Sequence, residues 1–237
     1  MFLLAAGNPF ISAYLQSDWF GKGIFWALFL MSALSWGILI YKVWVASQVR
    51  KLSEEFASQF DDRTDLLNLQ FTPQKGHFAE LPHPYFEIYK SLKQNTLKII
   101  NKNHFHSPET KGHLFLSKED LDLVATGVYS TIAMQTKYLE KNLFILSTAV
   151  TLGPFLGLLG TVWGILLAFS HMQTSAGSMT MLSGLSMALA TTVIGLVVAI
   201  PALVGYNYLR NLGKEYRHEM EDFSELLLIA VELKYRR

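Results

Sequence analysis

The feature of this sequence that most constrains its fold is a long stretch without charge. Residues 142–209 contain no Asp, Glu, Lys or Arg. A helix needs about 20 mostly apolar residues to cross a bilayer, and this stretch has room for two such helices. A short polar run at 173–178 divides it, so the sequence predicts two spans, 142–172 and 179–209, joined by an extracytoplasmic turn. Both exceed the length that a bilayer requires, and we expect them to tilt or protrude.

A third apolar run lies near the start of the chain. Residues 23–41 carry no charge, and tryptophan and tyrosine side chains near the ends of the run are typical of a membrane interface. Residues 21–46 are therefore predicted as the first span. Before it, Asn8 followed by Pro9 is typical of a helix start, which predicts a short interfacial helix within residues 1–20.

The lysine and arginine residues predict the orientation of the chain. Only Lys22 precedes the uncharged run at 23–41, whereas one group of basic residues follows that run and another follows the third span. By the positive-inside rule, the N-terminus is expected outside, and residues 47–141 and 210–237 are expected in the cytoplasm. Apolar residues at helical spacing in both regions predict that helices continue beyond the spans. The expected fold is an all-α integral membrane protein with three spans and long cytoplasmic helical extensions.

Breaks are predicted within the cytoplasmic region. Prolines and a glycine between Thr72 and Pro84 predict a loop, a helix is predicted over 84–101, and a second break over 101–112. Ser117 with Asp120 three residues later resembles a capping box. It predicts a helix from about 118 that runs directly into the second span.

Composition excludes several classes of function. The chain has no cysteine, which removes disulfides, thiolate metal sites and a cysteine nucleophile. The net charge of +1 gives no electrostatic support to nucleic-acid binding. His104 and His106 lie two residues apart, but a solvated loop is a commoner setting for such a pair than a zinc site. No catalytic triad or phosphate-binding glycine loop stands out, so we expect neither an enzyme nor a cofactor nor a metal.

Small residues in the second and third spans predict close helix packing. The second span carries glycines at four-residue spacing, and the third carries a ridge of small residues, both of which let helix backbones approach. One proline interrupts each span. The candidate pore-lining or helix-packing residues are Ser147, Thr151, Pro154, Gly157, Gly160, Gly164, Ala188, Gly195 and Pro201.

Hydroxyl side chains deep in the spans are a second candidate feature. Ser147, Thr151 and Thr161 fall on one face of the second span, and Thr192 lies deep in the third. Antiparallel spans would bring Thr161 and Thr192 to a similar depth. In a helix such a hydroxyl can simply bond the carbonyl one turn earlier, so these residues alone do not establish a polar path. A chain that moved ions with no charge in 142–209 would need a titrating group from another chain.

Two segments carry a resemblance to a known family. Gly157–Ile165 (GLLGTVWGI) and Ala190–Ala202 (ATTVIGLVVAIPA) resemble the signatures of the MotA/TolQ/ExbB proton channel family. With Tyr206 and Asn207 beyond them, the resemblance covers roughly residues 145–225. Three spans with the N-terminus outside are similar to the TolQ and ExbB branches, with TolQ slightly favoured, whereas MotA has four spans.

The resemblance implies a multi-pass subunit of a complex in the bacterial inner membrane. In such a complex a homopentamer surrounds two copies of a single-span partner of the TolR/ExbD type, whose membrane aspartate carries the proton. Proton motive force then drives a further protein of the TolA/TonB type, in support of cell-envelope integrity or transport. By the same resemblance, Thr161 and Thr192 face the pore and serve proton passage. Met187 is a departure, because TolQ and ExbB typically carry a glutamate at this position.

Two other readings stay open at the level of the sequence: a passive membrane scaffold and a component of a solute permease. A scaffold needs no polar line facing a central cavity. A permease usually has more spans, or charged or polar ligands for its substrate. The sequence leaves the choice between a TolQ-like and an ExbB-like role open, and equally that between H⁺ and Na⁺.

Overall fold

The computed structural model describes residues 8–58, 83–106, 116–172 and 178–235. This part of the chain is all-α, as the sequence predicts. Its helices, in chain order, are α1 (Pro9–Gln16), α2 (Trp19–Ser58), α3 (Pro84–His106), α4 (Lys118–Glu140), α5 (Leu143–Met172) and α6 (Ser178–Tyr235). The predicted loop between Thr72 and Pro84 falls mostly outside the described residues, and so does the predicted turn at 173–178.

The chain divides into two compact units. The first, which we call the membrane unit, consists of residues up to Lys42 together with Asn142–Leu209. The second, the helical unit, consists of Val43–Lys141 and residues from Arg210 onward. Three of the described helices, α2, α5 and α6, are long and apolar enough to cross a membrane, which confirms the three predicted spans.

The first helix begins where the sequence predicts. The side chain of Asn8 accepts a hydrogen bond of 3.1 Å from the backbone N–H of Phe10, and Pro9 occupies the first helical position. The helix then ends at Gln16, before the predicted limit of 20. It stops because a new helix begins there: Asp18 precedes α2 and accepts a hydrogen bond of 2.9 Å from the backbone N–H of Gly21, as an N-cap residue does.

The junction between α4 and α5 corrects one prediction. The capping box is confirmed, since Ser117 and Asp120 exchange hydrogen bonds of 3.1 and 3.2 Å. However, α4 does not run directly into the second span, because Asn142 has a left-handed backbone with φ of 71°. Asparagine tolerates this conformation better than most residues, and it ends one helix and redirects the chain into the next.

The predicted break over 101–112 is wrong in its first part. Helix α3 continues to His106. Asparagine, lysine and histidine weaken a helix only slightly, and Pro108 is the first strong helix breaker in this stretch. Residues 107–112 lie outside the described part of the chain.

The helical unit is held together by an apolar core to which four helices contribute. Its side chains recur every three or four residues, so each helix turns one face inward. The most deeply buried members are Val49, Ile88, Leu92, Val124, Val128, Ile132, Met220 and Val231. The side of α6 that the sequence marks as apolar, including Tyr216, Phe223 and Leu227, is part of this core.

Buried tyrosines link α2, α3 and α6 in this unit. The hydroxyl of Tyr216 donates to the carbonyl of Val49 at 3.1 Å and also shares a hydrogen bond with the hydroxyl of Ser53. The ring of Tyr85 stacks on Phe223 with centroids 4.3 Å apart. Burial raises the pKa of Tyr216 above its usual range, and burial followed by the nearby Glu219 carboxylate raises the pKa of Tyr85 to about 12. Both phenols therefore stay protonated, and able to donate, to a higher pH than an exposed tyrosine does.

We predict that Tyr216→Phe destabilises the protein because it leaves the buried hydroxyl of Ser53 without this partner. A loss of about 1–2 kcal/mol is expected, and each kcal/mol lowers the Tm by about 2–4 °C in a chain of this length. Thermal unfolding in detergent measures the change. The matched control is Tyr129→Phe, since Tyr129 is 52% exposed. Equal Tm values for the two variants would contradict the assignment.

Candidate functional site

The backbones of α5 and α6 touch along a line of small residues, most of them glycines, which we call the glycine seam. It consists of Gly153, Gly157, Gly160 and Gly164 of α5 and of Gly184, Ala188 and Gly195 of α6. A methyl group on Gly164 would lie 2.6 Å from the carbonyl oxygen of Gly184. A methyl group on Gly195 would lie 2.6 Å from the carbonyl oxygen of Gly153. Both distances are too short for a real contact, so only glycine fits at these points. The seam thus uses the predicted small residues to bring the two spans together.

Thr192 lies at the seam and makes a contact across it. Its hydroxyl donates to the carbonyl of Gly157 in the other span at 3.4 Å and to that of Ala188 at 3.3 Å. The carbonyl of Gly157 is also the helical acceptor for the backbone N–H of Thr161. Thr161 and Thr192 therefore lie at a similar level of the hairpin, as antiparallel spans require.

Thr161 uses its hydroxyl within its own helix. The hydroxyl donates to the carbonyl of Leu158 at 2.6 Å, and the side chain is half-buried. Within the described residues, no hydrogen bond joins the hydroxyls of Thr161 and Thr192. Each hydroxyl donates its hydrogen bond to a backbone carbonyl oxygen. Its lone pairs remain able to accept a hydrogen bond from another group.

The rest of the predicted hydroxyl-bearing face of α5 lies away from the seam. This face, which we call the hydroxyl face, consists of Ser147, Thr151, Pro154, Leu158 and Thr161. Leu158 is 57% exposed in the single chain and Thr151 is exposed too. The hydroxyl of Thr151 donates to the carbonyls of Ser147 and Thr148 at 3.2 and 3.0 Å. Packing within one chain thus leaves Thr151 and Leu158 exposed and the other three residues of this face half-buried.

Thr191 is a seam residue that the sequence places deep in the third span beside Thr192 but does not single out as a site residue. It is fully buried, and its hydroxyl donates to the carbonyls of Met187 and Ala188, each at 3.0 Å. A methyl group on Gly160 would overlap the side chain of Thr191, so this threonine fills the notch that Gly160 leaves open. The sequence marks both Thr191 and Thr192 as deep in the span, but which of them enters the notch depends on how the helices are rotated.

Asp18 is a second residue that the sequence analysis missed. It is the only Asp or Glu in residues 1–42 and 142–209. Besides capping α2, its carboxylate accepts hydrogen bonds of 3.1 and 3.3 Å from the indole N–H of Trp163 in α5. The signal available in the sequence was an aspartate directly before a long helix, which is typical of an N-cap.

Met187 is enclosed by hydrocarbon. It is 1% exposed and belongs to a buried cluster with Ala13, Phe25 and Ala190. A methyl group on Gly21 would lie 2.6 Å from the Met187 sulfur, so α2 approaches this side chain closely. An ionised carboxylate at this buried position would lose most of its hydration. The third span therefore carries a buried apolar side chain at the position where the family resemblance implies a glutamate.

The described residues present no group of three His, Asp or Glu side chains arranged as metal ligands. Prolines 154 and 201 both lie inside continuous helices and are half-buried. Ala188 is buried in the seam. The site therefore consists of backbone contacts and hydroxyl groups, with its only carboxylate serving as a helix cap.

We predict that Gly195→Ala separates the two spans, because its methyl group would collide with a backbone carbonyl that cannot move alone. Overpacking of this kind costs about 1–3 kcal/mol. The matched control is Gly37→Ala in α2, where a methyl group would meet nothing within 4 Å. Recovery of folded protein and thermal unfolding in detergent compare the two variants. A Gly195→Ala protein as stable as the control would exclude the close approach described above.

Comparison with known proteins gives the following results. A profile of the MotA/TolQ/ExbB proton channel family matches residues 96–222. The biopolymer transport protein ExbB of Salmonella typhimurium is 30% identical over 226 residues, covering 91% of this chain and 83% of that protein. The Tol-Pal system protein TolQ of Haemophilus influenzae is 24% identical over 234 residues, covering 94% and 96%. ExbB of Helicobacter pylori is 44% identical over 98 residues, covering 40% of this chain and 64% of that protein.

Proposed function

Because the chain belongs to the MotA/TolQ/ExbB proton channel family, we propose that it uses the proton motive force across a bacterial inner membrane to energise a process at the outer membrane. It is a proton-channel subunit of the ExbB–ExbD or TolQ–TolR type. In this proposal the N-terminus lies outside and the helical unit lies in the cytoplasm, as the positive-inside rule favours. A TolA- or TonB-like protein transmits the energy.

The observation that carries the proposal is the division of α5 into two faces. One face forms the glycine seam with α6, and the hydroxyl face is only partly covered by its own chain. Copies arranged in a ring, most simply a pentamer, would turn the hydroxyl faces toward a central cavity. Such a cavity offers a weakly polar wall to a partner helix and to water, while lipid covers the outer surface.

The titrating group comes from the partner in this proposal. Residues 142–209 contain no charge, Asp18 is engaged as a helix cap, and Met187 is packed in hydrocarbon. A single-span partner of the TolR/ExbD type would bring an aspartate into the cavity. An unpaired charge deep in a bilayer costs at least about 2.5 kcal/mol, so the aspartate needs polar groups beside it in at least one of its protonation states.

Thr161 and Thr192 are the groups we assign to that role. A hydroxyl can accept a hydrogen bond from a protonated carboxyl and can rotate to donate to an ionised one. At rest each donates to a backbone carbonyl, that of Leu158 for Thr161 and those of Gly157 and Ala188 for Thr192. Breaking such a bond to serve a carboxylate exchanges one hydrogen bond for a stronger, charge-assisted one.

We predict that the double variant Thr161→Val, Thr192→Val assembles with the partner but loses most proton flux. Valine keeps the branched shape and removes the hydroxyl, so assembly should survive. Thr→Ser at both positions should retain part of the flux, because it keeps the hydroxyl. Native mass spectrometry verifies the oligomer, and a pH-sensitive dye inside proteoliposomes measures the flux.

The matched control is Thr148→Val. Its hydroxyl also bonds a carbonyl of its own helix, that of Phe144 at 2.8 Å, but it lies off the hydroxyl face. The control should conduct normally. Full flux through an assembled double valine variant would remove the two threonines from the proton path. A larger loss with serine than with valine would instead assign them a packing role.

A further inference from the structure

A small cavity lies inside the membrane unit where α2, α5 and α6 meet. Ser32, Ser35 and Leu39 of α2 line it together with Leu146 of α5 and Pro201 of α6. The volume open to the centre of a water molecule is about 10 Å³, which is close to the room that one buried water requires. None of the residues of the hydroxyl face lines this cavity, and half of its lining comes from the first span.

The hydroxyl of Ser35 is unusual among the hydroxyls of the spans. Ser35 is 5% exposed, and its oxygen has no hydrogen-bond partner among the described residues. By contrast, other hydroxyls of α5 and α6 donate to a carbonyl of their own helix, for example Thr148, Thr151, Thr161, Ser170 and Thr191. A buried hydroxyl left unpaired costs about 1–3 kcal/mol, so a residue of this kind calls for a partner that the chain itself does not supply.

Pro201 brings a second unsatisfied group to the same place. Proline has no backbone N–H, so the carbonyl of Val197, one turn earlier in α6, has no helical donor. The proline ring lines the cavity. In a helix the carbonyl four residues before a proline lies against the proline ring, so the freed carbonyl of Val197 adjoins the ring that lines the cavity.

We propose that this cavity binds one structural water molecule, which accepts a hydrogen bond from Ser35 and donates one to the carbonyl that Pro201 leaves free. Ser32 is also among the residues that line the cavity. A water with two to four such partners is the usual solution for polar groups buried in an apolar interior. The bound water thereby ties the first span to the proline position of the third, and this role does not rest on the proposed function.

Ordered water provides the direct test. In a map of the assembled protein that resolves ordered waters elsewhere in the spans, a density peak should lie within hydrogen-bond distance of the Ser35 oxygen and the Val197 carbonyl oxygen. The peak should be absent or displaced in Ser35→Ala. A map with no peak, or with the Ser35 hydroxyl bonded to the carbonyl of Met31, would overturn the proposal.

A stability cycle tests the link to the proline. Ser35→Ala should lower the Tm by about 2–4 °C, whereas the control Ser170→Ala, which removes an exposed hydroxyl, should leave it unchanged. Pro201→Ala restores the N–H, so Ser35→Ala should cost less than half as much in that background. An equal cost in both backgrounds would contradict a water shared between the two residues. If Pro201→Ala does not fold, the density test decides alone.

Discussion

The backbone contact between α5 and α6 is the interaction on which the rest of the membrane unit depends. In a bilayer the hydrophobic effect does not drive helices together, so close van der Waals packing and hydrogen bonds must do so. The glycines of the seam allow that approach, Thr191 fills the notch at Gly160, and Thr192 reaches the carbonyl of Gly157 across it. The seam occupies a different face of α5 from the hydroxyl face. The exposed part of the hydroxyl face is therefore available for contacts with other chains.

The same packing supports the proposal that the titrating group comes from another chain. The spans pack through backbone contacts at the glycine seam and through apolar side chains such as Met187, and residues 142–209 contain no charged side chain. The one carboxylate of the membrane unit, Asp18, joins α2 to Trp163 of α5 and acts as a structural group. In the proposed mechanism, the hydroxyls and backbone carbonyls of this chain assist a titrating group that the partner supplies.

Local signals in the sequence were sufficient for the spans and the helix starts, and insufficient for contacts between helices. The absence of charge predicts the three spans, and side-chain capping at Asn8 and Ser117 predicts helix starts that the structure confirms. The break at Asn142 was missed because asparagine is compatible with both helical and left-handed backbones. The hydrogen bond from Trp163 to Asp18 joins residues far apart in sequence. The periodicity of apolar residues within a helix does not predict such a contact.

Proton flux with and without the partner tests the shared site most directly. Proteoliposomes holding this chain alone should conduct protons weakly. Adding the single-span partner should raise the flux by more than about tenfold, given the cost of at least about 2.5 kcal/mol for a charge unassisted in the bilayer. A partner whose membrane aspartate is replaced by asparagine should return the flux to the level of the chain alone. Equal flux in all three preparations would contradict a proton site divided between the two chains, and no flux in any of them would favour a passive scaffold.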